Sequence, residues 1–138
     1  MRVMAIDYGD ARTGWAVSDP SGLIAGETGV IPGRNEEKLL DELCRLMESR
    51  GVERVVLCLP RNVDGTEGPR AEKCRAFGEK LAARGRSVAY VDERRTTVEA
   101  HAILTEAGKH GKKRKQRVDA VAATLILETY LNARRGED

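Results

Sequence analysis

Apolar residues in the first 32 positions fall into three short runs separated by turn formers. The run Val3–Ile6 ends at Asp7, a glycine-bounded polar turn follows, and a second apolar run covers Trp15–Val17. This pattern predicts a hairpin. After a turn at Asp19–Gly22, Leu23–Ile31 is predicted as a third strand. Three consecutive strands joined by tight turns form an antiparallel meander.

From position 35 the pattern changes to alternating helices and buried strands. Asn35 is a predicted N-cap, and Gly51 is the predicted stop of this first helix. Its apolar stripe consists of Leu39, Leu43, Leu46 and Met47. The run Val55–Leu59 is apolar without alternation, which is typical of a strand covered on both faces. The sheet is therefore expected to continue beyond the meander.

A second helix and a fifth strand are predicted next. Cys74, Phe77 and Leu81 recur at helical spacing in a helix expected from about 69 to 84. Val88–Val91 is a short strand that ends on two acids, Asp92 and Glu93. The loop 60–69 between the fourth strand and the second helix is rich in turn formers, and loops at this position of α/β proteins usually bind ligands.

Two more helices and a basic segment complete the chain. Thr96 and Glu99 form a capping box for a helix that runs to about Ala107. The segment Lys109–Arg117 carries six Lys or Arg residues and is predicted as a loop. The last helix is expected from Val118 to about Ala133, with Asp119 in its first turn. Its predicted apolar strip is Val118, Val121, Ala122, Leu125 and Thr129, with Ile126 and Tyr130 beside it.

This order of elements matches a ribonuclease H-like fold, an α/β fold with a mixed five-stranded sheet. The three-strand antiparallel meander is extended by two parallel strands, and helices cover both faces. No linker or repeat divides the chain, so residues 1–138 are predicted to form one domain. In this fold the first strand is central and the last helix crosses the sheet. Asp7, Glu93 and Asp119 are therefore expected to converge.

The distribution of charge, the size of the chain and its cysteines exclude some classes of protein and favour others. Residues 1–69 carry 8 Lys and Arg against 12 Asp and Glu, whereas residues 70–138 carry 16 against 10, so the second half suits a polyanion. Actin-like ATPases share the D-x-G pattern at Asp7, but they clamp ATP between two such domains, so one domain of this size counts against that class.

The chain shows no signal peptide or membrane span, and its three cysteines lack the spacing of a disulfide framework. These features predict a cytoplasmic protein with no membrane partner. Those cysteines are Cys44, Cys58 and Cys74.

Three carboxylates held close together repel one another, and divalent metal with oxygen ligands relieves this repulsion. Asp7, Glu93 and Asp119 are therefore predicted to hold Mg²⁺ or Mn²⁺, with two ions, for phosphodiester hydrolysis. The basic segment would contact backbone phosphates. Taken singly, each feature has a simpler interpretation: Asp119 as an acid favoured at a helix start, the acids at 92 and 93 paired with Arg94 and Arg95, and the basic segment as a solvated charge run.

Several motifs resemble the YqgF family, also called RuvX, of ribonuclease H-like proteins. They are Asp7-Tyr8-Gly9 with Arg12 and Gly14, Val17-Ser18-Asp19-Pro20, Leu59-Pro60 with Asn62, Asp64-Gly65-Thr66-Glu67-Gly68-Pro69, Asp92-Glu93-Arg94 with Thr96-Thr97, and Lys112-Lys113 with Lys115 and Asp119. The resemblance covers nearly the whole chain. The sequence departs from the family pattern at Asp10, Cys58 and Arg95.

The resemblance implies a nuclease that processes the 5′ end of pre-16S ribosomal RNA, with Asp7, Glu93 and Asp119 as catalytic metal ligands. Residues expected to bind nucleic acid are Arg12, Arg94, Lys112, Lys113, Arg114 and Lys115. The partners are then structured RNA and ribosomal precursor particles, with the protein a monomer or homodimer. Two alternatives stay open: a Holliday junction resolvase acting on DNA, and a non-catalytic binding module for nucleic acid or ribosome assembly.

Overall fold

A mixed sheet of five strands forms the centre of the computed structural model. Residues 1–22, 24–60, 64–92 and 111–137 are described, with side chains at all of these except 92, 111–119 and 134–137. The strands are β1 (Arg2–Asp7), β2 (Arg12–Ser18), β3 (Ala25–Pro32), β4 (Val52–Leu59) and β5 (Val88–Asp92). Their order is β3-β2-β1-β4-β5. The meander is antiparallel and β4 and β5 extend it in parallel, which confirms the predicted sheet.

Two of the predicted helices are confirmed almost residue for residue. Helix α1 spans Glu36–Arg50, with the Asn35 side chain accepting a hydrogen bond from the Lys38 backbone N–H. It ends at Gly51, whose φ of 65° lies in the left-handed region that glycine adopts without strain. In the buried stripe Leu40 is 1% exposed, whereas Leu46 is only partly buried, a difference from the predicted stripe. Helix α2 spans Pro69–Ala83.

The two faces of the sheet are covered by different helices. Met4 and Ile6 of β1 belong to the cluster that includes α1 and α2, whereas Val3 and Ala5 belong to the cluster that includes the last helix. Successive residues of a strand point to opposite faces. This alternation gives each position of β1 a defined side of the sheet. Helices on both faces are thus confirmed.

The last helix, α3, spans Gly111–Glu137 and begins seven residues before the predicted start at Val118. The prediction of a loop was therefore wrong for residues 111–117, because Lys, Arg and Gln are good helix formers and a charged run alone does not break a helix. Asp119 is the ninth residue of α3. Its interpretation as a first-turn acid stabilised by the helix dipole was wrong, since that effect fades within the first turn.

The sheet-facing strip of α3 also differs from the predicted one. Its buried residues are Ala122, Ala123, Ile126, Leu127 and Leu131, whereas Leu125 and Thr129 are only partly buried. Residues 121–127 are apolar almost without a break, so the sequence offers no unique face. Ala122 and Ala123 are fully buried, so packing of α3 against the sheet selects the face.

Three further predictions concern other parts of the chain. The helix expected from Thr96 to about Ala107 lies outside the described residues. Cys44, Cys58 and Cys74 form no disulfide in the part of the chain that the structure describes. No helix among the described residues has the length and apolar character needed to cross a membrane.

Candidate functional site

Asp7 is the last residue of the central strand and lies on the α3 side of the sheet. Asp7 is an even number of residues from Val3 and Ala5 along β1, so it has the same parity and lies on the same face of the sheet. Val3 and Ala5 pack against α3, and the side chain of Asp7 is partly exposed. On the neighbouring strand its partner is Gly14, which carries no side chain. A partly exposed carboxylate at the end of a strand can be reached by a cation from solvent.

The carboxyl ends of β1, β4 and β5 meet at one edge of the sheet, here called the acidic edge. Ile6 is in register with Leu57, and Leu57 with Tyr90, so Asp7 and Asp92 each come just beyond this level. Neighbouring strands are about 4.8 Å apart, which places the backbones of these two residues about 10 Å from each other across β4. Glu93, the predicted ligand, follows directly and lies outside the described residues.

Helix α3 runs so that its earlier residues approach the acidic edge. The Tyr130 hydroxyl accepts a hydrogen bond of 3.0 Å from the Arg54 guanidinium at the opposite end of the sheet. Asp119 is eleven residues before Tyr130, or about 16 Å along the helix. On the sheet, Arg54 is paired with Val3. Val3 lies four residues before Asp7, or about 13 Å along β1. The backbone of residue 119 is therefore near the level of Asp7.

The helical position of residue 119 also fits the sheet-facing strip. It comes one turn before Ala123 and two turns before Leu127, both of which are buried against the sheet. The backbone geometry thus brings the positions of Asp7 and Asp119 to the same side of the same edge. Among the residues that the structure describes, no three His, Cys, Asp or Glu side chains form a metal-binding group. Of the three predicted ligands, only Asp7 has a described side chain, because Glu93 and the side chain of Asp119 lie outside the described part of the chain.

On the opposite face, Tyr8 anchors the end of β1 to both helices. Its ring stacks on Phe77 of α2 at 4.2 Å between centroids, and its hydroxyl donates a hydrogen bond of 2.7 Å to Glu36 of α1. Burial raises the pKa of Tyr8 above its usual value, and the contact with the Glu36 carboxylate raises it further. The hydrogen bond from Lys80 lowers the pKa of Glu36, and the one from Tyr8 adds to this effect. The residue directly after Asp7 is therefore fixed on two sides.

The lowered pKa of Glu36 predicts a pH-dependent contribution to stability. A carboxylate whose pKa falls on folding stabilises the protein above its unfolded value of about 4.5, and this stabilisation is lost as the pH falls through the folded pKa. We expect Glu36→Gln to lower the free energy of unfolding on the order of 1 kcal/mol at pH 7. Urea unfolding at pH 7 and pH 3 should show this difference shrinking in acid. An equal difference at both pH values would contradict the assignment.

Asp10, in the turn between β1 and β2, lies against α2. Its carboxylate is 3.1 Å from the Lys73 ammonium and 3.5 Å from the Arg70 guanidinium. Arg70 also donates a hydrogen bond of 3.2 Å to the backbone carbonyl of Tyr8. The hydrogen bond from Lys73 is the main cause that lowers the pKa of Asp10. Asp10, at which the sequence departs from the family pattern, is thus held by two cations of α2.

Five of the six predicted nucleic-acid-binding residues lie in the described part of the chain. Arg12 begins β2 two residues before Gly14 and therefore has the parity of the α3 side. Lys112, Lys113, Arg114 and Lys115 lie at the start of α3, where only the backbone is described. Arg94 lies outside the described residues. Arg70 and Lys73, which contact Asp10 at the start of α2, were not among the residues singled out from the sequence.

Fold comparison shows which solved structures share the fold of this chain. A solved structure described as "T. thermophilus RuvC in complex with Holliday junction substrate" is similar with a TM-score of 0.64 and 15% identity, covering 99% of this chain and 96% of that one. The Fowlpox virus resolvase with Holliday junction DNA is similar at a TM-score of 0.53 and 10% identity, covering 99% and 97%. The chain therefore has the α/β fold of these two resolvases, with an acid at the end of its central strand.

Sequence comparison identifies the family within this fold. The RuvX family, described as Holliday junction resolvase, matches residues 1–133. A relative from Halothermothrix orenii named "Putative pre-16S rRNA nuclease" is 44% identical over 133 residues, covering 96% of this chain and 95% of the relative. One of the same name from Limosilactobacillus fermentum is 43% identical over 136 residues, covering 96% and 94%. The chain belongs to the RuvX family.

Proposed function

We propose that this protein is a metal-dependent endonuclease that cuts structured RNA at the 5′ end of the pre-16S ribosomal RNA precursor. The observation that carries the proposal is the position of Asp7 at the acidic edge, on the face where α3 brings residue 119 to the same level. The names of the curated relatives supply the substrate. The activity belongs to a single domain over residues 1–138 and is exerted in the cytoplasm.

The carboxylates of Asp7, Glu93 and Asp119 are the proposed ligands of two divalent ions, Mg²⁺ or Mn²⁺. Hard cations of this kind take oxygen ligands, and carboxylates from separate elements are a donor set that fits them. When bound, such ions polarise the phosphodiester and lower the pKa of water. Asp7 contributes from β1 and Asp119 from α3. Arg12, Arg94 and the basic start of α3 bind the backbone on either side of the cut.

The alternation of β5 supports Glu93 rather than Asp92 as the third ligand. Ala89 and Val91 pack against the α3 cluster, whereas Val88 and Tyr90 pack against the other. If this alternation is extended past the end of β5, position 93 falls on the side of Ala89 and Val91, which is also the side of Asp7. We expect Glu93→Gln to reduce the cleavage rate by more than about 100-fold and Asp92→Asn to reduce it less than threefold. Single-turnover cleavage of a labelled RNA measures both, and the opposite ranking would contradict this assignment.

A matched pair of substrates tests the proposed function. Wild-type protein is incubated with Mg²⁺ or Mn²⁺ and either a precursor RNA fragment spanning the 5′ end of 16S rRNA or a four-way DNA junction. The proposal predicts a cut in the RNA, and intact junction DNA under the same conditions. Symmetric cutting of the junction would instead establish the resolvase function, which the family description favours and which requires a two-fold dimer. Binding without cutting on either substrate would leave only the binding module.

A further inference from the structure

Two cations of α2, Arg70 and Lys73, share one carboxylate from the turn that follows Asp7, which leaves the group with a net positive charge. Lys73 and Arg70 lie 3.1 and 3.5 Å from the two carboxylate oxygens of Asp10. All three side chains are well exposed: 63% for Lys73, 52% for Arg70 and 53% for Asp10. The pair is therefore accessible to solvent and to a large ligand.

The position of this pair places it at the acidic edge. Asp10 is three residues after Asp7, and Arg70 hydrogen-bonds the carbonyl oxygen of Tyr8, the residue directly after Asp7. Helix α2 covers one face of the sheet, and α3, with its basic first turns, covers the other. Cationic residues therefore approach the acidic edge from both faces. A nucleic-acid strand crossing this edge would meet the pair on one side of Asp7 and the start of α3 on the other.

The contact of Asp10 with Arg70 and Lys73 is weak enough for a backbone phosphate to replace the carboxylate. An ion pair between exposed side chains contributes little to stability, because water screens it and both side chains lose freedom. A phosphodiester carries the same single negative charge as the Asp10 carboxylate, and its oxygens also suit Arg and Lys donors. Replacing Asp10 with a backbone phosphate therefore costs little on the protein side, and it releases the counterions that the nucleic acid held.

We propose that Arg70 and Lys73 form a binding site for a backbone phosphate of the nucleic acid, and that Asp10 occupies this site as an internal competitor in the free protein. The identity of the ligand rests on the proposed function. The site itself rests on the geometry of the three side chains. Asp10 thus weakens binding at a position beside the proposed metal ligands.

The test is equilibrium binding of a fluorescein-labelled RNA hairpin, followed by anisotropy in EDTA so that no cleavage occurs. We expect Asp10→Asn to tighten binding about two- to fivefold at low salt, because it removes the competing negative charge from both cations. Lys73→Gln should weaken binding by a similar factor and reduce the salt slope by about one. The loss on Lys73→Gln should be larger in the Asp10→Asn background, where no internal acid competes. Thermal unfolding of each variant verifies that it is folded.

Asp41→Asn is the matched control, because it removes the same charge from a 2.7 Å ion pair with Arg84 between α1 and α2. An effect of Asp10→Asn no greater than that of Asp41→Asn would overturn the proposal, as would failure of both wild type and Asp10→Asn to bind the hairpin. If Asp10→Asn binds the hairpin more tightly but wild-type protein cuts no RNA, this site is supported and the nuclease function is refuted. RNA cleavage with unchanged binding by Asp10→Asn would refute the site alone.

Discussion

Asp7→Asn will reduce RNA cleavage by more than about 100-fold, because it removes a charge that a metal ion needs from the centre of the site. Changes to residues that merely support a metal ligand cost about 10- to 100-fold, so loss of a ligand should cost more. Asparagine has nearly the same shape as aspartate, and the backbone pairing of β1 with β2 at Gly14 is kept. The expected result is therefore an inactive protein with its fold intact.

Single-turnover cleavage in Mg²⁺ and Mn²⁺ measures the effect of Asp7→Asn. Thermal unfolding of the same sample, expected to match wild type, separates loss of chemistry from loss of structure. Asp41→Asn again provides a variant with the same chemical change, on a surface remote from the acidic edge. Cleavage by Asp7→Asn within tenfold of wild type would show that Asp7 is not a metal ligand.

Phe77→Ala will produce the largest loss of stability that we expect from a single change. Phe77 is 1% exposed, belongs to the main core cluster and stacks on Tyr8. Deleting a buried phenyl ring costs about 3–5 kcal/mol through lost burial and the cavity that remains. This is a large share of the roughly 5–15 kcal/mol that stabilises a typical protein. Because Tyr8 follows Asp7, the same change removes one support of the acidic edge.

Urea unfolding measures the cost of Phe77→Ala at equilibrium. Phe77→Leu is the matched control, and it should cost less because leucine refills part of the cavity. We also expect the midpoint of thermal unfolding to fall by about 10 °C or more in Phe77→Ala. A loss of less than 1 kcal/mol would show that the ring contributes little to the core.

The sequence predicted the centre of the sheet well because β1, β2 and β4 each have a strong local signal. Val55–Leu59 is apolar without interruption and Gly51 ends the helix before it, so neither element depends on distant contacts for its identity. Side chains alternate along β1, so Asp7 lies on the face opposite to that of Tyr8 once the face on which Met4 packs is known. The position of the central acid thus follows from local patterns together with one assumption about topology.

The start and the buried face of α3 could not be predicted in the same way. A run of Lys and Arg is compatible with either a loop or a helix, and only the continuation of the helix into the apolar segment distinguishes them. The buried strip depends on contact with the sheet, since residues 121–127 provide apolar side chains on several faces. The contact between Asp10 and Lys73 joins residues 63 positions apart, and no local pattern reveals it.

Titration of Mn²⁺ by calorimetry tests most directly the claim that three acids from separate elements form one metal site. We expect wild-type protein to bind Mn²⁺, and Asp7→Asn, Glu93→Gln and Asp119→Asn each to bind it at least tenfold more weakly, with Asp41→Asn matching wild type. Unchanged Mn²⁺ affinity in Asp119→Asn or Glu93→Gln, measured on folded protein, would contradict the convergence of these acids at the end of the central strand.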